Sequence, residues 1–488
     1  MAVESGRGNR RPGEEYGSAR WGDPRTIGKK YRDRRHREKN ILLTQHVALG
    51  LDGRITKRNT HQLIVGGSGA GKTRYFCLPN VMNACCSYII TDCKGEILRA
   101  VGGLFEKQGI PFTVLDLVNM RGHYNPFAYL RRDSDALRLV TNLVANTTPK
   151  DAKNSDPFWD RAETALLQAL ILYLKHRAPV CEQNFTMVME MINAAEVREG
   201  DPNFKSALDL LFDELESEEP QSIALKQYKV FKQAQDKTAK SILIGAAVRL
   251  AAFNLPELAR VTDSDEMYIG RLGEEKRAIF CVIPDNDTSL NFLVSMLYTQ
   301  AFQELYYIAD QKYGGPLPVH VQCIQDEWAN TPQPDNYLQI LRTARSRNIG
   351  CSVVVQGLSA IKAMYKESWE EVVGNCDSFL FLGGNDQESL SYISKMKATI
   401  DTITRGETKG RGGSSSRNFQ NTGRELVTPE ELRMVDRDAL LLIRGECPVL
   451  DRKYDLNRHP NIRYTEMGGA PPYKVPEDYC ALSASIPA

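Results

Sequence analysis

The sequence lacks any long apolar run. No stretch of about 18 consecutive apolar residues occurs, which is the length that a membrane-crossing helix needs. The best candidate, residues 165–174, is short and is interrupted by Gln168. We therefore expect a soluble chain without a transmembrane segment.

The eleven cysteines lack the spacing of a metal site or of a disulfide framework. There is no Cys-x-x-Cys pair and no secretory leader, and Cys281, Cys323 and Cys351 lie inside apolar runs. In such runs a cysteine behaves as a small buried hydrophobe. The pattern favours a reducing cytoplasm.

The chain also lacks a net charge that would point to a partner. Its formal charge is +1, with 42% apolar and 25% charged residues, as in ordinary globular proteins. The charge is uneven, however, because residues 1–40 contain twelve Lys and Arg against six Asp and Glu. This basic arm is interpreted either as a solvated segment or as a contact with nucleic acid or an anionic membrane surface.

Short apolar runs alternate with helical patterns from Thr60 onward, which indicates an α/β protein with a mostly parallel sheet. Most of these runs are too apolar to be half exposed, so we expect interior strands covered on both faces. The predicted strands are Gln62–Val65, Tyr88–Thr91, Phe112–Leu117, Ala278–Ile283, Val319–Ile324, Cys351–Val355 and Phe379–Leu382.

Between the third and fourth of these strands, residues 131–270 show helical periodicity and few strand signals. Helices are predicted at 208–218 and 226–250, among others. An all-helical domain inserted into the sheet domain explains the interval. The predicted organisation is a basic arm at 1–40, a nucleotide-binding domain in two parts at 41–130 and 271–460, the all-α insertion at 131–270, and a tail at 461–488.

A glycine-rich segment after the first strand matches the phosphate loop G-x-x-x-x-G-K-[ST]. Glycines let the backbone curl its N–H groups around phosphate oxygens, and the next helix begins at the anion. Lys72 is predicted to reach the β and γ phosphates, and the Thr73 hydroxyl to bind Mg²⁺. The loop predicted to bind ATP is Gly66, Gly67, Ser68, Gly69, Ala70, Gly71, Lys72 and Thr73.

Asp326 and Glu327 end a later strand, and Gln356 ends the strand that follows it. Asp326 is predicted to hold the magnesium ion, and Glu327 to polarise the water that attacks the γ-phosphate. Gln356 is predicted to sense that phosphate by hydrogen bonding if its strand lies between the other two. These residues make the chain a P-loop ATPase of the strand-glutamate type.

Three arginines follow on the next predicted helix, Arg342, Arg345 and Arg347. One of them is predicted to act as an arginine finger in a neighbouring subunit's site, with Arg345 favoured over Arg347. The alternative is that they are solvated or contact DNA.

Several further motifs occur in order along the chain. They are Asn59-Thr60-His61-Gln62, Thr91-Asp92-Cys93-Lys94-Gly95-Glu96, Tyr124-Asn125-Pro126-Phe127, Phe158-Trp159 and Asp326-Glu327-Trp328-Ala329-Asn330. Together with Arg345 and Gln356, they resemble the type IV secretion coupling proteins of conjugative elements, the TraG/TraD-like ATPases. The resemblance covers about residues 17–452. Cys93 departs from the family pattern, which usually has proline there.

The resemblance implies a RecA-like fold, a homo-hexameric motor and Mg-ATP as its fuel. It further implies a task, which is to recruit a relaxase bound to single-stranded DNA and drive it into the type IV secretion channel at the cytoplasmic face of the plasma membrane. Family members usually begin with membrane-spanning helices. We therefore expect either that such an anchor was removed or that a partner supplies it.

Two other functions remain open from the sequence: a cytoplasmic DNA translocase unrelated to secretion, and a docking platform that binds ATP but hardly hydrolyses it. A DNA motor needs basic residues along its channel. The candidates are Lys226, Lys229, Lys232, Arg405, Lys409 and Arg411.

Overall fold

The computed structural model of the chain describes residues 17–147, 157–197, 204–234, 236–331, 333–334, 336–407 and 415–477. Its strands are β1 Asn40–Leu42, β2 Ala48–Gly50, β3 Gln62–Val65, β4 Ser87–Cys93, β5 Phe112–Asp116, β6 Ala278–Ile283, β7 Val321–Gln325, β8 Ile349–Val355, β9 Ser378–Phe381, β10 Lys397–Glu407, β11 Ser415–Glu425, β12 Asp438–Ile443 and β13 Val449–Arg452.

The α-helices alternate with these strands or lie between β5 and β6. They are α1 Pro24–Tyr31, α2 Gly53–Thr56, α3 Leu78–Met82, α4 Glu96–Lys107, α5 Asp133–Thr147, α6 Pro157–Arg177, α7 Phe185–Asn193, α8 Ala207–Glu218, α9 Ile223–Lys232, α10 Asp236–Arg249, α11 Pro256–Thr262, α12 Asn291–Tyr307, α13 Tyr337–Thr343, α14 Leu358–Tyr365, α15 Trp369–Asn375, α16 Gln387–Ser394 and α17 Pro429–Arg433. Within the described ranges, no helix combines the length and the apolar character needed to span a lipid bilayer.

Contacts divide the chain into two compact units. Unit one comprises Met1–Cys85, Ile324–Ala329 and Gly350–Ala470, and unit two comprises Cys86–Cys323, Asn330–Ile349 and Pro471–Ala488. The five-part division expected from the sequence stays a prediction.

Unit one contains a mixed sheet in the order β13-β12-β9-β3-β8, with the end of β7 next to β8. Strand β3 runs parallel to both neighbours, with Val65 opposite Val355 in β8 and Phe381 in β9. Strands β12 and β13 are antiparallel additions at the edge. Because parallel strands end at the same edge, the residues that follow β3, β7, β8 and β9 meet there.

The basic segment near the N-terminus is folded onto unit one. Asp23 caps helix α1 by accepting a hydrogen bond from the Thr26 N–H, and Ile27 and Tyr31 are buried. The Tyr31 hydroxyl donates to Glu446 at 2.6 Å. The cations of this segment thus lie on a fixed surface.

In unit two, β4, β6 and β5 are parallel and almost entirely buried. The rings of Tyr88, Phe105, Phe112 and Phe280 pack edge to face. The described residues of 131–270 contain helices α5 to α11 and no strand.

The single helix expected over 226–250 is wrong. It is replaced by α9, which ends at Lys232, and α10, which begins at Asp236. The intervening residues are almost all polar. They give the helix no apolar face to bury.

Candidate active site

The phosphate loop leaves the C-terminal end of β3 and is held by backbone hydrogen bonds from both neighbouring strands. The Gly66 N–H donates to the Val355 carbonyl at 3.1 Å, and the Gly67 N–H donates to the Gly383 carbonyl at 2.9 Å. Gly69 and Gly71 have φ of 75° and 84°, which glycine adopts at little cost. The loop is therefore fixed at its start and turns at its glycines.

The helix after the loop begins with a widened, π-helical turn, Thr73–Cys77, in which the Leu78 N–H donates to the Thr73 carbonyl. Pro79 explains this turn, because it has no N–H to donate and its ring clashes with the carbonyl four residues earlier. The turn places Lys72 and Thr73 beside the end of β7.

Asp326 is almost fully buried and accepts a hydrogen bond from the Thr73 hydroxyl, with Oγ1 and Oδ2 2.6 Å apart. Burial raises the pKa of Asp326 above its ordinary value, and the Thr73 hydrogen bond opposes that rise. Oxygen ligands of an octahedral Mg²⁺, bound at about 2.0–2.1 Å, lie about 3 Å apart. The two side chains therefore fit a shared divalent cation.

Glu327 lies between Lys72 and Gln356. Its Oε1 is 3.3 Å from the Lys72 ammonium, and its Oε2 accepts from the Gln356 amide at 3.2 Å. Its φ of 50° is unusual for a residue with a side chain, and such backbone strain clusters at functional sites. The carboxylate is only partly buried, so a water molecule can reach it.

The structure thus places Lys72, Thr73, Asp326, Glu327 and Gln356 in one contact network inside unit one, which we call the phosphate-loop cluster. Strand β8 lies between β3 and β7. That is the strand order on which the prediction for Gln356 depended. The roles of these residues stay predictions.

All three arginine candidates lie in unit two. Arg342 is in helix α13, which ends at Thr343, so Arg345 and Arg347 lie not on that helix but in the short 3₁₀ turn Ala344–Arg347 that follows it. Arg347 binds Asp310 through two hydrogen bonds of 2.8 and 2.9 Å, and its guanidinium lies 4.3 Å from the centre of the Tyr306 ring. Arg345 is exposed. Of the two, Arg347 is engaged within its own chain.

Sequence reasoning missed three residues that contact the phosphate loop. Gly383 supplies the carbonyl that accepts from Gly67, and a Cβ on Gly384 would lie 3.0 Å from the Gly67 nitrogen. The Gly-Gly pair after a predicted strand was an available signal. Lys453 donates to the Ala70 carbonyl at 3.1 Å, and nothing local in the sequence indicated it.

The basic residues predicted to contact DNA differ in their surroundings. Lys229 and Lys232 bind Glu216 and Asp209 of helix α8, whereas Lys226 is exposed. Only the backbone of Arg405 is described, and Lys409 and Arg411 lie outside the described residues.

Comparison with known proteins gives a family match over most of the chain. The family described as type IV secretory system conjugative DNA transfer matches residues 20–459. VirD4 of Rhizobium radiobacter is 23% identical over 413 residues, which cover 80% of this chain and 56% of that protein. VirD4 of Agrobacterium fabrum strain C58 is 23% identical over 90% of this chain and 65% of its own length. TraG of Escherichia coli is 23% identical over 77% of this chain and 62% of its length. The chain thus spans between half and two thirds of these relatives.

Solved structures of the coupling protein TrwB are also similar. An unbound form of TrwBdeltaN70 matches with a TM-score of 0.67 and 16% identity, over 94% of this chain and 97% of that one. TrwB in complex with ADP and Mg²⁺ matches with a TM-score of 0.65 and 16% identity, over 93% and 99% of the two chains. The likeness confirms the predicted RecA-like P-loop fold with its mostly parallel sheet.

Proposed function

The chain belongs to the type IV secretory system conjugative DNA transfer family, as its motifs predicted, and we propose that it is an ATP-hydrolysing coupling protein. In this role it recruits relaxase-bound single-stranded DNA to a type IV secretion channel and powers its transfer. The observation that carries the proposal is the Thr73–Asp326 contact of 2.6 Å beside Lys72 and Glu327. It joins a phosphate loop to a strand-end carboxylate pair 250 residues away.

Binding of ATP follows from the loop. Backbone N–H groups between Gly67 and Thr73 surround the phosphate oxygens, and the Lys72 ammonium binds the β and γ phosphates. Thr73 and Asp326 would hold Mg²⁺, which would neutralise charge developing on the phosphate oxygens. The TrwB complexes with ADP and Mg²⁺ and with a non-hydrolysable ATP analogue support these assignments.

Hydrolysis uses Glu327 as the general base. Its carboxylate accepts a proton from the attacking water. The Gln356 amide donates a hydrogen bond to this carboxylate and thereby orients the carboxylate. Lys72 exchanges its contact with Glu327 for the phosphates when ATP binds, which leaves Glu327 available for the water. Binding and hydrolysis of ATP would thereby change the contacts of Glu327, which follows β7.

The proposed partners are single-stranded DNA, a relaxase, components of the secretion channel and further copies of the chain in a hexamer. Arg345 would act on the nucleotide of a neighbouring copy. Support for this choice is that Arg345 is exposed while Arg347 is bound to Asp310.

We place the protein at the cytoplasmic face of the plasma membrane, and a charged face of unit one supports this location. Residues 29–58 carry ten Lys and Arg against three Asp and Glu, although the whole chain has a charge of only +1. We call the exposed cations of 29–39 and 54–58 the basic surface. Tyr31 joins the two segments, since Arg58 lies 5.5 Å from its ring.

An apolar side chain lies among these cations. Ile55 is 77% exposed next to Arg54 and Lys57. Cations around an exposed apolar side chain are typical of surfaces that bind anionic lipid headgroups. A DNA-binding face would rather present aromatic rings, and Tyr31, the aromatic ring of this segment, is buried.

The function is tested by ATP hydrolysis with and without single-stranded DNA. Glu327→Gln should bind nucleotide within about threefold of wild type yet hydrolyse it at least about 100-fold more slowly, because the general base is lost. Glu367→Gln, an exposed glutamate of unit one, is the control and should change neither quantity. Hydrolysis by Glu327→Gln at the wild-type rate contradicts the assignment. Slow wild-type turnover that DNA does not stimulate would favour a docking platform.

A further inference from the structure

A lysine directly after the last strand of the sheet contacts the phosphate loop. Lys453 follows β13, and its ammonium donates a hydrogen bond of 3.1 Å to the carbonyl of Ala70, 383 residues earlier. The residue is only 9% exposed. This contact joins the edge of the sheet in unit one to the turn of the loop.

By this contact Lys453 holds the peptide group between Ala70 and Gly71 in one orientation. The carbonyl of Ala70 and the N–H of Gly71 belong to one planar trans peptide, so they point in opposite directions. By holding the carbonyl, Lys453 directs the Gly71 N–H away from itself. Phosphate loops bind anions through such aligned N–H groups.

Tyr75 holds the peptide on the other side of Gly71. The Tyr75 N–H donates to the Gly71 carbonyl at 2.8 Å, and its ring occupies the space beside Gly71, where a Cβ would lie 2.4 Å from a ring carbon. The Lys453 ammonium lies 5.2 Å from the centre of that ring. Gly71 is thus held by Lys453 before it and Tyr75 after it.

Lys453 forms no ion pair with a carboxylate in the part of the chain that the structure describes, and the attraction of Asp436 and Asp438 only partly opposes the effect of burial on its pKa. Its ammonium contacts a carbonyl and an aromatic ring, and no carboxylate binds it. Burial lowers the pKa of Lys453, since the charged form loses water. A buried cation without an ion-pair partner is costly, and the phosphates of a nucleotide in the loop would offset that cost.

We propose that Lys453 is a positioning residue for the nucleotide, which holds the Ala70–Gly71 peptide in its anion-binding orientation and adds a positive charge behind the loop. The proposal rests on nucleotide binding at this loop as the function above requires. A residue that follows the edge strand β13 thus contributes to nucleotide affinity, although it lies outside the phosphate-loop motif.

The test compares Lys453→Met, Lys453→Arg and a control, Arg452→Met. Arg452 is the neighbouring residue, exposed, and bound to Asp438 at 3.3 Å. The dissociation constant of a fluorescent ADP analogue with Mg²⁺ should rise about tenfold in Lys453→Met, as expected for a lost charged hydrogen bond. Lys453→Arg should recover most of the affinity, and Arg452→Met should match wild type.

Two further readouts separate positioning from a structural role. In Lys453→Met, KM should rise while kcat stays within about threefold, because the loop binds ground state and transition state alike. The ratio of the Met and wild-type dissociation constants should shrink as pH rises, since wild type then loses the charge that the methionine never had. Melting temperatures without nucleotide check that the variants fold.

Equal affinity of Lys453→Met and wild type would overturn the proposal. So would equal weakening by Met and Arg, because the contribution would then be packing and not charge. If wild type itself binds no nucleotide, the proposed function fails first, and the two failures are distinguished by that measurement alone.

Discussion

The phosphate-loop cluster and the basic surface both belong to unit one, yet they use charge in opposite ways. In the cluster, the Lys72 ammonium lies 3.3 Å from a Glu327 carboxylate oxygen and the Asp326 carboxylate accepts a hydrogen bond from Thr73. Lys72 and Asp326 are almost fully buried. The basic surface has nine exposed cations between residues 29 and 57, and Arg54 is 88% exposed at its side chain.

The cluster and the basic surface should therefore respond differently to a single substitution. Buried charges interact in a medium of low dielectric constant and are hardly screened, so removing one leaves its partners uncompensated. Exposed charges act together, each contributes little, and salt weakens them all. Large effects are therefore expected at the cluster and small, additive, salt-dependent effects at the basic surface.

Arg345 is the expected exception to this rule, because its side chain is exposed and its substitution should still have a large effect on ATP hydrolysis. If it completes a neighbour's site, Arg345→Ala should lower kcat for ATP hydrolysis about 10³-fold, as arginine fingers do. Arg347→Ala is the matched variant from the same turn. It should cost about 1–3 kcal/mol in the free energy of unfolding, because it loses the Asp310 contact.

Hydrolysis should be measured over a range of protein concentrations, and in mixtures with Lys72→Ala subunits. These lack their own phosphate contact but retain Arg345, so they should restore activity to Arg345→Ala. If Arg345→Ala alone hydrolyses ATP within about threefold of wild type, the exposed arginine has no such role, and the comparison holds without exception.

A substitution at Gly384 tests packing around the buried cluster without changing a charge. Its φ is 156°, and an added Cβ would lie 3.0 Å from the Gly67 backbone nitrogen. Gly384→Ala should lower the free energy of unfolding by about 1–3 kcal/mol and weaken nucleotide binding. Chemical denaturation and nucleotide titration measure the two effects.

The control is Gly374→Ala in helix α15, where an added Cβ meets nothing within 4 Å. It should stabilise the protein by about 0.5–1 kcal/mol, as alanine does in a helix. An equally stable Gly384→Ala would show that the phosphate loop is free to move away from Gly384.

The sequence alone predicts the parts of this site that depend on local patterns. The phosphate loop, the strand before it and the Asp326-Glu327 pair each occupy a few consecutive residues, and β3 and β6 have the predicted bounds. Buried parallel strands are apolar on both faces, so they stand out from their neighbours.

Contacts between distant residues could not be predicted in this way. Strand β12 was missed although residues 439–443 form an apolar run. Strand β13 was missed because its four residues alternate between buried and exposed, and only pairing with β12 makes it a strand. Without that strand nothing placed Lys453 near Ala70. Gly383 and Gly384 form an ordinary turn signal until β9 is known to lie beside β3.

The basic surface should show the smallest single effect. Lys57→Gln should weaken binding to vesicles of phosphatidylcholine mixed with phosphatidylglycerol about fivefold, since one cation near an anionic bilayer contributes about 1 kcal/mol. Arg433→Gln, another exposed cation of unit one, should leave vesicle binding unchanged. Cosedimentation at several salt concentrations measures the effect, which should decline as salt screens the charges.

Ile55→Asp should weaken binding further, because it removes the apolar side chain and adds a negative charge among the cations. Binding to single-stranded DNA but not to these vesicles would contradict the lipid assignment and would make the surface a nucleic-acid contact.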